Sequence, residues 1–320
     1  MKTDTVAHSM TLPWIESPFF YEVLTEKAPT EALKQQAIRY HEDGFLILKG
    51  AVSHDLIDRA VAQIGHEYPD RMNVPPIRHQ DLWKKYDTVR EIAVLEPVQT
   101  ILAFLYGRDP IPFQTLNFKY GTQQRGHSDT IHFSSVPARY MCGVWVAFEP
   151  THPGNGPLFY YPKSHKLAEY NYFDLGIQGK SVEEEYDRYE DYIEEFMAAK
   201  GFSKQEIYLE KGDVMIWSSN LIHGGMPIRV ENSTRWSQVT HYYFRDCLYY
   251  SPRFSDMLTN NLNLRNVIHI GTGEKVRHTF NGRPIETINT GEFRYAISQN
   301  FSLWTLMKGM VRKMIGFKPF

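Results

Sequence analysis

The sequence predicts a mainly β fold with flanking helices, a sandwich or jelly roll, and three observations lead there. From Pro110 onward the apolar residues alternate instead of recurring at helical spacing. The runs QTLNFKYG, ARYMCGVWVAFEP, GPLFYYP, EIYLEKGDVMIWSS and RWSQVTHYYF follow one another as β-like segments separated by Gly, Pro, Asn and Ser clusters. Helical patterning is concentrated before Pro110. Many short strands joined by such turns bury their apolar faces by packing two sheets together.

Taken in order, residues 1 to about 29 are mixed and Pro-punctuated and read as an arm along the surface. TEALKQQAIRYHEDG reads as a helix with Thr30 as N-cap and Gly44 as its stop. GFLILKG follows as a short buried strand. A second helix opens at Ser53-His54-Asp55 and runs to about Glu67, with Leu56, Ala60, Val61 and Ile64 at helical spacing. VREIAVLEPVQTILAFLYG supplies one or two further helical turns. Within the β region, SVEEEYDRYEDYIEEFMAAKG interrupts as an acidic helix with Val182, Tyr186, Tyr189, Ile193, Phe196 and Met197 on one stripe. It is expected to cover the mouth of the barrel or to lie on its flank. SPRFSDMLTNNLNLRNV reads as helical, and HTFNGRPIETINTGE as turn-rich with weak strand character. These readings give one domain over 1–320. It comprises a helical preamble over 1–109, a β core over 110–246 with the insertion at 181–201, and a C-terminal extension over 247–320.

Composition excludes several classes. A length of 320 residues with 42% hydrophobic and 22% charged residues is an ordinary globular balance, able to bury a substantial core. A formal net charge of −2 provides no field to draw in nucleic acid. Two cysteines, Cys142 and Cys247, cannot form a disulfide framework and point to a reducing compartment. No apolar run reaches the length of a membrane span, and the N-terminus lacks a basic-then-apolar signal layout. A cytoplasmic location is therefore expected. The last stretch, FSLWTLMKGMVRKMIGFKPF, is apolar and basic; packing on the domain is expected, with docking to a membrane surface or a partner as the alternative.

The chemistry centres on His127-Ser128-Asp129. Residues i and i+2 of an extended segment share a face, so this imidazole and this carboxylate can meet one cation. Far downstream, KGDVMIWSSNLIHGG ends a β-like run on His223. Two His and one Asp form the facial triad that holds Fe(II) on three positions and leaves others open for a chelating co-substrate and O2. The absence of Cys from the set argues against a structural zinc, while a hydrolytic His2Asp zinc remains chemically open. Twelve residues after His223 comes Arg235-Trp236-Ser237.

The ordered set HSDTIHF, VWVAFEP, GNGPLFYYPKSHK, GDVMIW…HGG and RWSQ resembles the phytanoyl-CoA dioxygenase family of Fe(II)/2-oxoglutarate oxygenases, over roughly Gly44 to Phe244. The resemblance implies a double-stranded β-helix core of the jelly-roll, cupin-like kind. It implies Fe(II), 2-oxoglutarate and O2 as cofactors and co-substrates, with release of succinate and CO2. It singles out His127 among three H-x-D tripeptides, because neither His41-Glu42-Asp43 nor His79-Gln80-Asp81 leads into GNGPLFYYPKSHK within about thirty residues. His132 and His165 are the alternative histidines. His132 falls on the wrong face of a continuous strand and reads as a residue behind the ligands or facing substrate, and His165 reads as ordering a loop.

In the same frame, the Arg235 guanidinium takes the distal carboxylate of 2-oxoglutarate in a two-point contact, with the Ser237 hydroxyl adding a third. Lys119 and Trp145 match a lysine and an aromatic that family members place near the co-substrate. Asp129 keeps the carboxylate that related halogenases replace with a small residue, so hydroxylation of a C–H bond is the expected outcome. Desaturation, cyclisation or epimerisation on the same iron, or a non-catalytic jelly-roll that binds metal or ligand, are the alternatives. The substrate class is a small molecule or an acyl thioester.

Overall fold

The computed structural model describes residues 11–70, 76–177, 179, 181–256, 258, 261–289 and 294–296. Its N-terminal part corrects the surface arm. A 3-10 turn at Trp14–Glu16 and helix α1 (Phe20–Lys27) put Trp14, Ile15, Phe20 and Val23 into the main core. Trp14 stacks on Phe20 with ring centroids 5.6 Å apart. The aromatic content of TLPWIESPFF provides enough apolar area to hold the segment down, and its prolines mark turns.

Helix α2 (Glu31–Asp43) begins where the Thr30 side chain accepts from Leu33 N and ends at Gly44, whose φ of 79° favours glycine. A Cβ at Gly44 would lie 2.4 Å from His165 Nδ1, so this position also admits a close approach. Strand β1 (Phe45–Leu48) follows at a sheet edge, with Leu46 alone fully buried, rather than as the buried strand expected. Ser53 caps helix α3 (His54–Ile64), which continues as a 3-10 turn over Gly65–Glu67. Two more helices form, α4 (Asp87–Ala93) and α5 (Glu96–Tyr106).

The β region folds into two antiparallel sheets. The larger contains β1, β2 (Arg78–Gln80), β3 (Pro110–Phe118), β5 (Met141–Ala147), β8 (Val214–Ser218) and β10 (Ser237–Phe244), in the order β1-β8-β5-β10-β3-β2. The smaller has the order β7-β6-β9, from β6 (Leu158–Tyr160), β7 (Gln205–Ile207) and β9 (His223–Gly225). Strand β4 (Ser134–Val136) pairs with β11 (Leu248–Tyr250) beside them. Neighbours distant in sequence lie side by side, as in a jelly roll, although the sheets do not close into a continuous barrel.

Alternation along the large sheet divides the core. Val144, Val146, Val214 and Ile216 face the helical layer, where Gln238 and Tyr242 bond to the Val89 and Ala93 carbonyls of α4. Trp145, Met215, Trp217 and Val239 face inward, in one cluster with Ile207 and Leu209. Helix α6 (Val182–Ala199) lies on the outside of the small sheet, burying Tyr189, Ile193 and Met197 against Ile131, Phe159 and Ile222. Of its expected stripe, Val182 is exposed.

Among the described residues beyond Asp246, the expected helix does not form. A 3-10 turn at Pro252–Phe254 and the bridges Tyr250↔Leu264 and Asp256↔Asn261 take its place, consistent with the turn preference of its Ser and Asn residues. Two small ladders follow, β12 (Thr279–Phe280) with β13 (Arg283–Pro284) and β14 (Thr287–Asn289) with β15 (Arg294–Ala296). The apolar, basic segment 301–320 lies outside the described residues. Among the described residues no helix is long and apolar enough to cross a membrane.

Candidate metal centre

Sheet register builds the site. Across four strands, Gln114, His241, Gly143 and Trp217 lie in one row. Gly143 leaves that row open, since a Cβ there would lie 2.2 Å from the Trp217 ring. The indole fills the gap, and its Nε1 donates to Asp129 Oδ2 at 2.8 Å. The neighbouring row, Leu116, Val239, Trp145 and Met215, continues the same inner face.

Asp129 opens a 3-10 turn, Asp129–Ile131, after an extended Ser128. The i, i+2 relation therefore spans one extended residue rather than a long strand. His127 and His223 exchange both backbone hydrogen bonds at 3.0 Å, which sets the two histidine-bearing segments side by side. Ser128 Oγ reaches Ser219 O and Asn220 Oδ1, tying the H-x-D segment to the loop before His223. That loop is held by Ser164, which accepts from Ile222 N, and by Asn220, which donates to Leu167 O.

The donor atoms of His127, Asp129 and His223 all lie within 4.8 Å of one another, and all three residues are buried. His127 Nδ1 faces Arg125 O at 3.0 Å and His223 Nδ1 faces Leu221 O at 2.9 Å. A carbonyl only accepts, so each Nδ1 holds the proton and each Nε2 offers a lone pair. His127 Nε2 stands 3.9 Å from Asp129 Oδ1. Burial, then the neighbouring His223, brings the His127 pKa down to about 4. Burial brings His241 to about 4 and His132 to about 3. Burial alone would raise the Asp129 pKa; His223, His241 and His127, with the Trp217 bond, outweigh it and hold the carboxyl below its ordinary value. At neutral pH His127 is therefore a neutral imidazole and Asp129 a carboxylate, the protonation states a metal requires of such donors. Two imidazoles and one carboxylate on one side of a void match the donor preference of non-haem Fe(II).

The cluster opens onto a cavity of about 370 Å³. Arg235 lies in its wall, 1% exposed, two residues before β10. Its N–H donates to Lys119 O at 2.8 Å, extending the β10–β3 ladder. Its Nη1 donates to Gly156 O at 2.6 Å, its Nε is buried without a partner, and the guanidinium sits 5.7 Å from the Trp145 ring. Burial, opposed by the more distant Glu149, lowers its pKa to about 10.

Trp145 lines the cavity. Ser237 is fully buried on the Arg235 face, its Oγ donating to Arg235 O at 3.3 Å. Lys119 is a correction. Gln114, Leu116 and Phe118 line the cavity, so alternation turns the next residue away, and Lys119 Nζ bonds Pro69 O at 2.9 Å. Its backbone, not its ammonium, serves the site. His132 faces the cavity, because the turn after Asp129 breaks the strand whose alternation would have hidden it. His165 joins loop to helix through His41 O. In the other H-x-D tripeptides, His41 contacts Ile15 O, while His79 contacts Glu67 O and Asp81 accepts from Trp83 Nε1.

Trp217, Gln124, Arg253 and Arg265, none of them a candidate from the sequence, also line the cavity. Trp217 lies within the recognised GDVMIW block, so the block itself held a signal. The arginines come from irregular segments without periodicity.

Fold and centre together define the class: a 2-oxoglutarate-dependent, non-haem iron oxygenase with a jelly-roll core. The phytanoyl-CoA dioxygenase (PhyH) profile matches residues 40–235, more than half the chain, and the chain belongs to that family. Its cofactors are accordingly Fe(II), 2-oxoglutarate and O2. Among solved structures, the non-haem α-ketoglutarate-dependent epimerase SnoN from nogalamycin biosynthesis is similar with a TM-score of 0.55 at 19% identity, over 82% of this chain and 97% of that one. The carbocyclase SnoK from the same biosynthesis gives 0.53 at 16%, over 83% and 96%. EctD from S. alaskensis, with 2-oxoglutarate and 5-hydroxyectoine, gives 0.52 at 18%, over 68% and 77%. No curated protein matches the chain by sequence.

Proposed function

We propose that His127, Asp129 and His223 are the iron ligands, that Arg235 binds the distal carboxylate of 2-oxoglutarate, and that the enzyme hydroxylates a C–H bond of a small molecule. The observation that supports this best is the pair of Nδ1–carbonyl bonds, which aim both Nε2 lone pairs at the void beside Asp129. Arg235, buried without a paired carboxylate, supplies the second element, because a desolvated guanidinium gains most from an anion brought in from solution.

When bound, Fe(II) with 2-oxoglutarate supplies oxidation of C–H bonds by O2. The chain's own residues hold and shield that chemistry. Trp217 fixes the Asp129 carboxylate, leaving Oδ1 directed toward His127. Trp145, Val239 and Leu116 keep water from the Arg235 end of the cavity. Tyr186 of α6 accepts from Gln124 and packs 5.1 Å from the His132 ring, so the acidic helix closes one side of the site.

The retained Asp129 favours hydroxylation over halogenation, while epimerisation and ring closure, the activities named for the two similar enzymes of nogalamycin biosynthesis, use the same iron and are distinguished by the product. An acyl thioester is a further candidate substrate. We read the chain as one functional unit, since the N-terminal helices and the large sheet share one core. A cytoplasmic location is supported by two free, buried cysteines. The deciding experiment is a screen of small molecules and acyl thioesters scored by succinate release and product mass. Gain of one oxygen atom indicates hydroxylation. Loss of two hydrogens, or an unchanged mass with inverted stereochemistry, would replace it with one of the other outcomes.

A further inference from the structure

Three guanidiniums besides Arg235 line the cavity, those of Arg78, Arg253 and Arg265. Among the described residues, the only carboxylate in the lining is Asp129. Arg59, Arg125, Arg139, Arg229 and Arg245 pair with carboxylates, and none of these five lies in the cavity wall. The Nε atoms of Arg253 and Arg265 are buried without hydrogen-bond partners. Iron adds positive charge to this wall, and 2-oxoglutarate on Arg235 removes only part of it. A positive excess remains in the cavity wall.

Aromatic contacts place that excess. Arg265 lies 4.6 Å from the Phe133 ring, Phe133 lies 4.8 Å from His241, and His241 Nε2 is 4.0 Å from Asp129 Oδ2. On another side, Arg253 lies 4.7 Å from the Tyr186 ring, which borders His132 at 5.1 Å. His132 in turn is 6.5 Å from His127. Arg253 Nη2 is anchored to Val182 O at 2.7 Å, at the start of α6. Stacked guanidiniums are held in orientation by their rings, and a buried N–H without an acceptor calls for one. Arg78, on the exposed strand β2, stands at the rim.

We infer that the primary substrate carries an anionic oxygen group, a carboxylate or a phosphate monoester, which Arg253 and Arg265 bind while its reacting carbon faces the His127–Asp129–His223 cluster. The inference rests on the reading that Arg235 holds 2-oxoglutarate, and the test separates the two. It places specificity in two side chains outside both the metal set and the co-substrate set.

The experiment uses the full chain loaded anaerobically with Fe(II) and saturating 2-oxoglutarate, so that Arg235 is occupied. Benzoate, phenyl phosphate and uncharged benzamide are titrated calorimetrically into wild type, Arg253→Gln, Arg265→Gln and Arg265→Lys. At least one anion should bind wild type and benzamide should not. Affinity should fall about ten- to a hundredfold in each Gln variant, the range of a lost charge-assisted hydrogen bond, and recover in part with Lys. Whether benzoate or phenyl phosphate binds tighter identifies the group. Failure of both anions to bind, binding of benzamide equal to benzoate, or unchanged anion affinity in both Gln variants overturns the inference. In parallel, 2-oxoglutarate is titrated by its iron charge-transfer absorption. Affinity within about twofold of wild type in the Gln variants is expected, well short of the loss when a charge-pair partner goes. A collapse there would instead assign these arginines to the co-substrate and refute the role of Arg235.

Discussion

Replacing Arg235 with Ala should cost the enzyme its 2-oxoglutarate affinity while leaving its iron. The guanidinium is 1% exposed and makes one side-chain hydrogen bond, to Gly156 O. Burial lowers its pKa only to about 10, so it remains charged at neutral pH. With the cation gone, the co-substrate's distal carboxylate enters a partly dry pocket without a counter-charge. Losing one partner of such a pair costs about 3–5 kcal/mol, roughly a hundredfold to a few thousandfold in affinity. Arg235→Lys should recover only part, because an ammonium cannot reproduce the planar two-point contact. The apoprotein should melt near the wild-type temperature, since relief of a buried unpaired charge offsets the donor lost by Gly156 O. The rise in Tm that 2-oxoglutarate gives the wild type should be absent. The assay is an anaerobic titration of the Fe(II)–2-oxoglutarate absorption, paired with melting curves. An Arg235→Ala protein that binds 2-oxoglutarate as tightly as wild type would refute the reasoning.

Further outcomes follow from the same geometry. Trp217→Phe removes the donor to Asp129 Oδ2 and should weaken Fe(II) binding about ten- to a hundredfold, measured by chelator competition, with the absorption restored at excess iron. Gly143→Ala forces the indole out of its row and should destabilise the fold by about 1–3 kcal/mol in denaturant titrations, with iron affinity falling in parallel. Tyr106→Phe strips Tyr40 OH of its 2.7 Å partner within the core and should cost about 1–2 kcal/mol. His127, His132 and His241 have folded pKa values of about 4, about 3 and about 4, below the unfolded value near 6.5. Protons therefore favour the unfolded chain, and the stability they contribute is present above pH ~6.5 and lost as pH falls toward ~4. Apoprotein Tm should drop across that window, and bound Fe(II), which needs neutral imidazoles, should shift the drop to lower pH.

The sequence disclosed most clearly what spacing and chemistry encode together. His127 and Asp129 sit two apart in a segment extended at Ser128, and their side chains converge as an i, i+2 pair should. Alternation along β10 puts Arg235, Val239 and His241 on the cavity wall. The same alternation, applied to β3, would have turned Lys119 away; the family likeness outweighed it, and the side chain points to Pro69 O. His132, on the wrong face of a continuous strand and expected behind the ligands or facing substrate, lines the cavity because a 3-10 turn intervenes. Trp14 and Phe20 looked like part of a loose arm because a short Pro-rich segment has no period to read, yet their stacked rings are core. Arg253 and Arg265 left no trace at all. Their segments lack periodicity, and long-range contacts such as the bridge Tyr250↔Leu264 and the Arg253–Val182 O bond bring them to the cavity.

The most direct test of the central claim is the anaerobic absorption spectrum of the protein with Fe(II) and 2-oxoglutarate, recorded for wild type and single alanine variants. The wild type should bind one Fe(II) per chain and show the weak visible charge-transfer band of the chelate. His127→Ala, Asp129→Ala and His223→Ala should each lose it, while His79→Ala, whose imidazole is engaged by Glu67 O, should keep it. A band that survives loss of His127 or His223, or disappears with His79, would contradict this assignment of the metal centre.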